Sequence, residues 1–144
     1  MDLFLIRHAI AEERRAGLPD ADRALTNKGR ARFEAMVESL DRAGVRFDRV
    51  YHSPWLHFKK GGIAWLRAVQ TAELLEPITA GPLMVAEGLA QPPEPDFFAC
   101  LEGKRVACVG HEPWLSDALS LLTTGTPHPA SMQLRALWGH SPPS

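Results

Sequence analysis

Cysteine and net charge are both scarce in this chain, and a long apolar run is missing altogether. Only two cysteines occur, Cys100 and Cys108, with no CxxC or metal-ligand spacing between them. A disulfide framework and a cysteine-based metal site are therefore excluded, and two reduced thiols packed as small hydrophobes are expected. The formal charge is only −1, from 16 basic and 17 acidic residues. So small a charge offers no general attraction to polyanions, so anion affinity has to come from a local cluster. No segment approaches the length of a transmembrane helix. Near the N-terminus, Asp2 and Arg7 bracket an apolar run of four residues, which is too short for a secretory leader. The expectation is a cytoplasmic protein with neither nucleic acid nor membrane as partner. The oligomeric state is not legible.

What is present fits one globular domain. The chain has 144 residues, 45% hydrophobic and 23% charged, enough to bury a core. No internal repeat is found. Leu3 to Ile6 reads as a buried strand and Ala9 to Ala24 as a polar loop. Thr26 is a good N-cap for a helix from Asn27 to about Ala43. Phe33, Met36, Val37 and Leu40 fall on one face of that helix, and Gly44 ends it. Arg49 to His52 is a second strand. A helix from Arg67 to Leu75 is stopped by Pro77. Leu83 to Val85 is a weak strand, Gln91 to Pro95 a proline-rich surface loop, and Phe97 to Leu101 a short helix. Arg105 to Val109 is a buried strand. Pro113 suits the first turn of a helix with Leu115, Ala118, Leu119 and Leu122 inside and Gly125 beyond its end. Strands alternating with helices predict a three-layer α/β/α sandwich with a mainly parallel sheet.

Three strand ends carry polar groups: Arg7-His8, Ser53-Pro54 and Gly110-His111. In a parallel sheet all three project to one edge, where α/β folds bind ligands. Arg67 opens the helix after the second strand and reaches the same edge. Taken alone, Arg7-His8 also fits a surface arginine beside a packed histidine. Together, two histidines and two arginines point to an oxyanion site. Arginine forks match phosphoryl oxygens, one imidazole can attack phosphorus, and the second can stabilise charge on the transferring group. Zinc, the rival reading of paired histidines, lacks a third ligand and would sit beside two cations. No metal or cofactor is expected.

These residues also carry a resemblance. Leu5-Ile6-Arg7-His8-Ala9 resembles the RHG/RHA signature of the histidine phosphatase (phosphoglycerate-mutase-like) superfamily. Leu25-Thr26-Asn27-Lys28-Gly29 matches its L-T-x-x-G element. Ser53-Pro54-Trp55-Leu56, then Arg67-Ala68-Val69-Gln70-Thr71-Ala72, matches an interrupted S-P-x-x-R-A-x-Q-T-A. Gly110-His111-Glu112-Pro113 matches the second-histidine motif. The short length and the GHEPWLS form resemble the small SixA-like phosphohistidine phosphatase branch. The resemblance implies a metal-independent phosphatase with His8 as nucleophile, Arg7 and Arg67 as phosphate clamps and His111 as second histidine. It implies a phosphohistidine-bearing protein as substrate. A small phosphoester, or phosphoanion binding without catalysis, is the alternative. Larger relatives place a glutamate general acid near Glu87, although a solvated loop residue is the preferred reading there. The asparagine of mutase-type members is absent after His8, which argues against phosphoglycerate-like substrates. Ser53 either binds phosphate or caps a helix. Asp22-Arg23 resembles a segment at the site entrance, with plain surface residues as the alternative. His52, His128 and His140 read as unremarkable, and Trp55, Trp65, Trp114 and Trp138 as packing, although Trp114 can border the pocket.

Residues 57–66 interrupt this pattern. Both Leu56/Arg67 and Leu134/Arg135 are junctions with Leu before and Arg-Ala after. Moving the ten residues behind Leu134 restores the continuous S-P-x-x-R-A motif and lengthens a C-terminal strand. They are expected to be displaced in the written order, with a true insertion or rearrangement as the alternative.

Overall fold

The computed structural model describes residues 1–18, 23–53, 66–111, 114–123 and 133–138. Along the chain they form β1 (Asp2–Arg7), α1 (Asn27–Arg42), β2 (Arg49–His52), α2 (Leu66–Leu74), β3 (Leu83–Val85), α3 (Pro95–Ala99), β4 (Arg105–Gly110), α4 (Trp114–Thr123) and β5 (Gln133–Trp138). Short 3₁₀ turns occupy Glu76–Ile78 and Glu87–Ala90. The five strands among the described residues order as β3-β2-β4-β1-β5. Every ladder is parallel, so each connection must cross a face of the sheet. Among the described residues, no helix is long and apolar enough to cross a membrane.

Strand β1 shows why the sheet has two covered faces. Alternate residues of a strand point to opposite sides. Phe4 and Ile6 enter a cluster with Phe33 and Val37 of α1 and Ala68 and Ala72 of α2. Leu3 and Leu5 enter a second cluster with Phe98 of α3 and Leu115, Ala118 and Leu122 of α4. Strand β4 divides in the same way, with Ala107 and Val109 on one side and Val106 and Cys108 on the other. Strands buried on both faces read as continuous apolar runs, which is what the sequence offers at both places.

One expectation fails at Cys100. Cys108 is buried as anticipated, and burial pushes its thiol up. Cys100 is exposed, because it forms the C-cap of the five-residue α3 on the surface. Several expectations fall outside the described residues: Asp22, Trp55, Trp65, Pro113, Gly125, His128, His140 and the displaced residues 57–65. Leu66 is the first residue of α2 and directly precedes Arg67. Leu134 and Arg135 are consecutive in β5, in register with Leu3 and Phe4 of β1.

The L-T-x-x-G element has a physical task. The Thr26 hydroxyl caps α1 by accepting from Gly29 N at 2.9 Å. Thr26 N donates to Ile10 O at 2.9 Å, and its hydroxyl donates to the same oxygen at 3.3 Å. Gly29 lies so close that a Cβ there would overlap the Ile10 carbonyl. The first turn of α1 thus rests directly on the loop that follows His8. Gly29→Ala should therefore destabilise the protein by about 1–3 kcal/mol through overpacking, despite the better helix propensity of alanine. Thermal or urea unfolding measures this, and a stabilised variant would contradict the close approach.

Candidate active site

The sheet register brings three strand ends level. Arg7 pairs with Gly110 and His52 with Val109, so His8, Ser53 and His111 each follow the last residue of adjacent strands. His8 N continues the ladder to Gly110 O at 3.1 Å. His111 stands between β4 and α4, and its carbonyl accepts from Leu115 N at 3.1 Å. Arg67 is the second residue of α2 and is 4% exposed. Arg7, His8, Arg67 and His111 line one cleft of about 510 Å3 with Ile10, Ala11, Arg14 and Arg23. Among the described residues this lining holds four arginines and two histidines, but no carboxylate.

The two ring nitrogens of His8 have different partners. Nδ1 lies 2.7 Å from Ala9 O, a carbonyl that can only accept, so Nδ1 carries the proton. Nε2 receives a hydrogen bond from Arg67 Nε at 3.2 Å, so Nε2 presents a lone pair. Both neighbours select the same neutral tautomer. Burial reinforces it: the His8 pKa is lowered from 6.5 to about 3, with desolvation the largest cause. The nearby charges of Arg67, Arg7 and His111 push the same way, against the Ala9 hydrogen bond that favours the cation. The result is an unprotonated imidazole nitrogen facing a cationic cleft at neutral pH.

Two residues that the sequence reading quoted without giving a role hold this geometry. Thr71 Oγ1 donates to Arg67 O at 2.6 Å and accepts from Ala9 N at 3.0 Å. One buried hydroxyl thereby ties the helix carrying Arg67 to the residue beside His8. One residue earlier, Gln70 Oε1 accepts from Leu25 N at 2.9 Å, which joins the same helix to the start of the L-T-x-x-G element. The signal for both was the Q-T pair one turn after Arg67. Arg14 was also missed, because it lies in a polar loop without a local pattern.

The other candidates divide. Arg23 lines the cleft, and its NH1 donates to Glu12 O at 2.7 Å. The Glu12 carboxylate is engaged elsewhere: Arg15 pairs with it at 3.0 Å and Ala24 N donates to it at 3.2 Å, holding it below the usual carboxylate range. Ser53 is fully buried, and neither its hydroxyl nor Arg7 Nε has a hydrogen-bond partner among the described residues. His52 is buried with Nδ1 3.0 Å from Ser53 O. Glu87 is exposed on a 3₁₀ turn, outside the lining of the cleft. Among the described residues, no three His, Cys, Asp or Glu side chains stand together as a metal site.

The comparisons concern the family and the fold. Residues 3–91 match the model of the histidine phosphatase superfamily, branch 1, and the chain belongs to that superfamily, a membership that supports phosphatase activity. It is 33% identical, over 87% of its length and 74% of the relative's, to an uncharacterised protein of Picosynechococcus. Among solved structures it is similar to the protein histidine phosphatase SixA complexed with tungstate, at 25% identity and a TM-score of 0.66, over 91% of this chain and 83% of that one. A structure described as the phosphohistidine phosphatase SixA of Agrobacterium tumefaciens shares the fold at 22% identity and a TM-score of 0.63, over 83% and 74% of the two chains. So does a phosphoserine phosphatase from Entamoeba histolytica in complex with 3-phosphoglyceric acid, at 17% identity and 0.56, over 88% and 82%.

The pH behaviour of His8 is a direct test. Its folded pKa lies below the unfolded value, so the unfolded chain binds the extra proton first. Stability from this group is complete above pH 6.5 and declines as pH falls toward 3, by up to ~1.4 kcal/mol per pH unit. Ring-nitrogen NMR should show the Nδ1–H tautomer persisting to about pH 4. A His8 resonance titrating near 6.5 would rule out the buried neutral ring.

Proposed function

We propose that this protein is a phosphatase that works through a covalent phosphohistidine on His8, and that its substrate is phosphohistidine on a protein. The observation that carries the reading is the fixed neutral tautomer of His8, with its Nε2 lone pair toward the arginines. In the proposed reaction Nε2 attacks phosphorus, the bond from phosphorus to the leaving group breaks, and Arg67 moves its donors from Nε2 to the phosphoryl oxygens. Arg7 holds the same oxygens, and the buried Ser53 hydroxyl meets one from the end of β2. His111 stabilises negative charge on the transferring group. Water then attacks phosphohistidine 8, releases phosphate and restores the Nε2 lone pair. No step needs a metal. Glu87 has no part in this scheme, since it is exposed away from the cleft and a nitrogen leaving group asks less of an acid. The unpaired cysteines fit a reducing cytoplasm.

His8→Ala is expected to lower kcat/KM by at least about 10³-fold, or ~4 kcal/mol, and Arg67→Ala by about 10²–10³-fold. Acid-labile, base-stable phosphate should be trapped on wild type and not on His8→Ala. Equal rates for both proteins would remove the catalytic claim for His8. Faster turnover of a sugar phosphate than of a phosphohistidine peptide would move the substrate to small phosphoesters.

We also propose that residues 57–66 belong behind Leu134 within a single domain spanning residues 1–144. In the present order twelve residues, 54–65, separate Ser53 from α2, well above the usual two to six of a β-to-α connection. A chain rearranged in that way is expected to melt at higher temperature while keeping the activity. A lower melting temperature counts against the displacement.

A further inference from the structure

A second pocket shares His111 with the cationic cleft. It measures about 170 Å3 and is lined by Ala90, Gln91, Pro92, Pro93, His111, Trp114 and Asp117. Its wall is built rather than incidental. Trp114 is 3% exposed, and its Nε1 donates to Gly88 O at 2.9 Å. Phe97 packs edge-on against the indole, with centroids 5.6 Å apart and planes at 82°. A Cβ at Gly88 would overlap the Phe97 ring, so glycine lets this backbone come close enough to hold the indole. Asp117, in the first turn of α4, is the one carboxylate among the described lining residues.

Resting on the phosphohistidine reading, we infer that this pocket receives the leaving group of the substrate, and that Asp117 selects an imidazole there over a leaving group with a second anion. Three observations favour that occupant. The pocket meets the phosphoryl cleft at His111, so a group bonded to phosphorus on His8 can extend into it. Its volume lies below the roughly 300–1,000 Å3 of pockets for drug-sized ligands, which suits one ring. Its surface is mostly apolar, with the Gln91 amide, His111 and one carboxylate as its polar groups, whereas the cleft across His111 is cationic. A flat ring with an N–H fits the first, and the phosphoryl group fits the second.

The step balances without a further acid. The substrate imidazole carries its phosphoryl on one nitrogen and a proton on the other, which Asp117 favours. As His8 Nε2 bonds to phosphorus, the substrate P–N bond breaks and its electron pair returns to the departing nitrogen. The imidazole leaves neutral, keeping its proton, and phosphorylated His8 keeps its own proton on Nδ1, donated to Ala9 O.

Two substrates separate this inference from the chemistry beneath it. Phosphoramidate has an N–P bond with ammonia as leaving group, so it tests His8 without filling the pocket. A short peptide bearing phosphohistidine tests both. In Asp117→Lys, an exposed position, kcat/KM for the peptide should fall about five- to tenfold further than for phosphoramidate. Gln91→Trp at the pocket rim should raise KM for the peptide selectively. Wild-type turnover of both substrates, with both variants affecting them equally, overturns the assignment of the pocket. Wild-type inactivity toward both removes the phosphatase reading, and this inference with it.

Discussion

A histidine ring held between a backbone carbonyl and a guanidinium is the constraint on which the site depends. Protonating His8 would place a third positive charge beside Arg7 and Arg67 in a largely desolvated position. Desolvation and the neighbouring charges both oppose the cation, so the ring stays neutral. Neutrality alone would leave two tautomers open. The Ala9 carbonyl removes one, since it can only accept, and Arg67 Nε donates to the nitrogen that remains. An imidazole lone pair is therefore set in place before any substrate arrives, which is the preorganisation that the proposed covalent catalysis needs.

The rest of the fold serves that contact. Arg67 reaches His8 only if α2 sits correctly on the sheet, and three attachments set it. Ala68 and Ala72 pack against Phe4 and Ile6 in the core. Thr71 joins the Arg67 carbonyl to Ala9 N, and Gln70 joins the helix to Leu25. The small side chains matter, because alanines at 68 and 72 let the helix approach closely. From the other direction, Thr26 and Gly29 fix Ile10 against α1. The loop after β1 is thereby gripped by two helices, and a residue in a long polar segment behaves as part of a rigid frame.

Much of this was legible in the sequence, for identifiable reasons. Leu3 to Ile6 and Arg105 to Val109 are apolar runs with polar groups immediately beyond, and in a parallel sheet those groups must share an edge. The placement of Arg7, His8 and His111 follows from that geometry. β3, only three residues long, was legible from its neighbours more than from its own composition. Thr71 was harder, because a threonine in a helix carries no periodic signal and its hydrogen bond spans 62 residues of chain. Cys100 was misread because the short helix expected over Phe97 to Leu101 lies two residues earlier, at Pro95–Ala99, and leaves the cysteine at its exposed C-cap. The tie between Trp114 and Gly88 depends on two segments far apart in sequence, and no local pattern announces it.

The small net charge gains a meaning from the site. A chain near neutrality gathers four arginines along one cleft while the Glu12 carboxylate is turned to Arg15 and Ala24 N. The anion field is local, and it is bounded at His111. Beyond that histidine the described lining becomes alanine, proline and tryptophan with one glutamine and one aspartate. Under the proposed assignment of the two pockets, a substrate anionic at one end only is favoured along its whole length, and one with two anionic ends meets attraction at the first and repulsion at the second. Selectivity of that kind would arise from the sign change across one side chain, with no movement of the frame that holds His8.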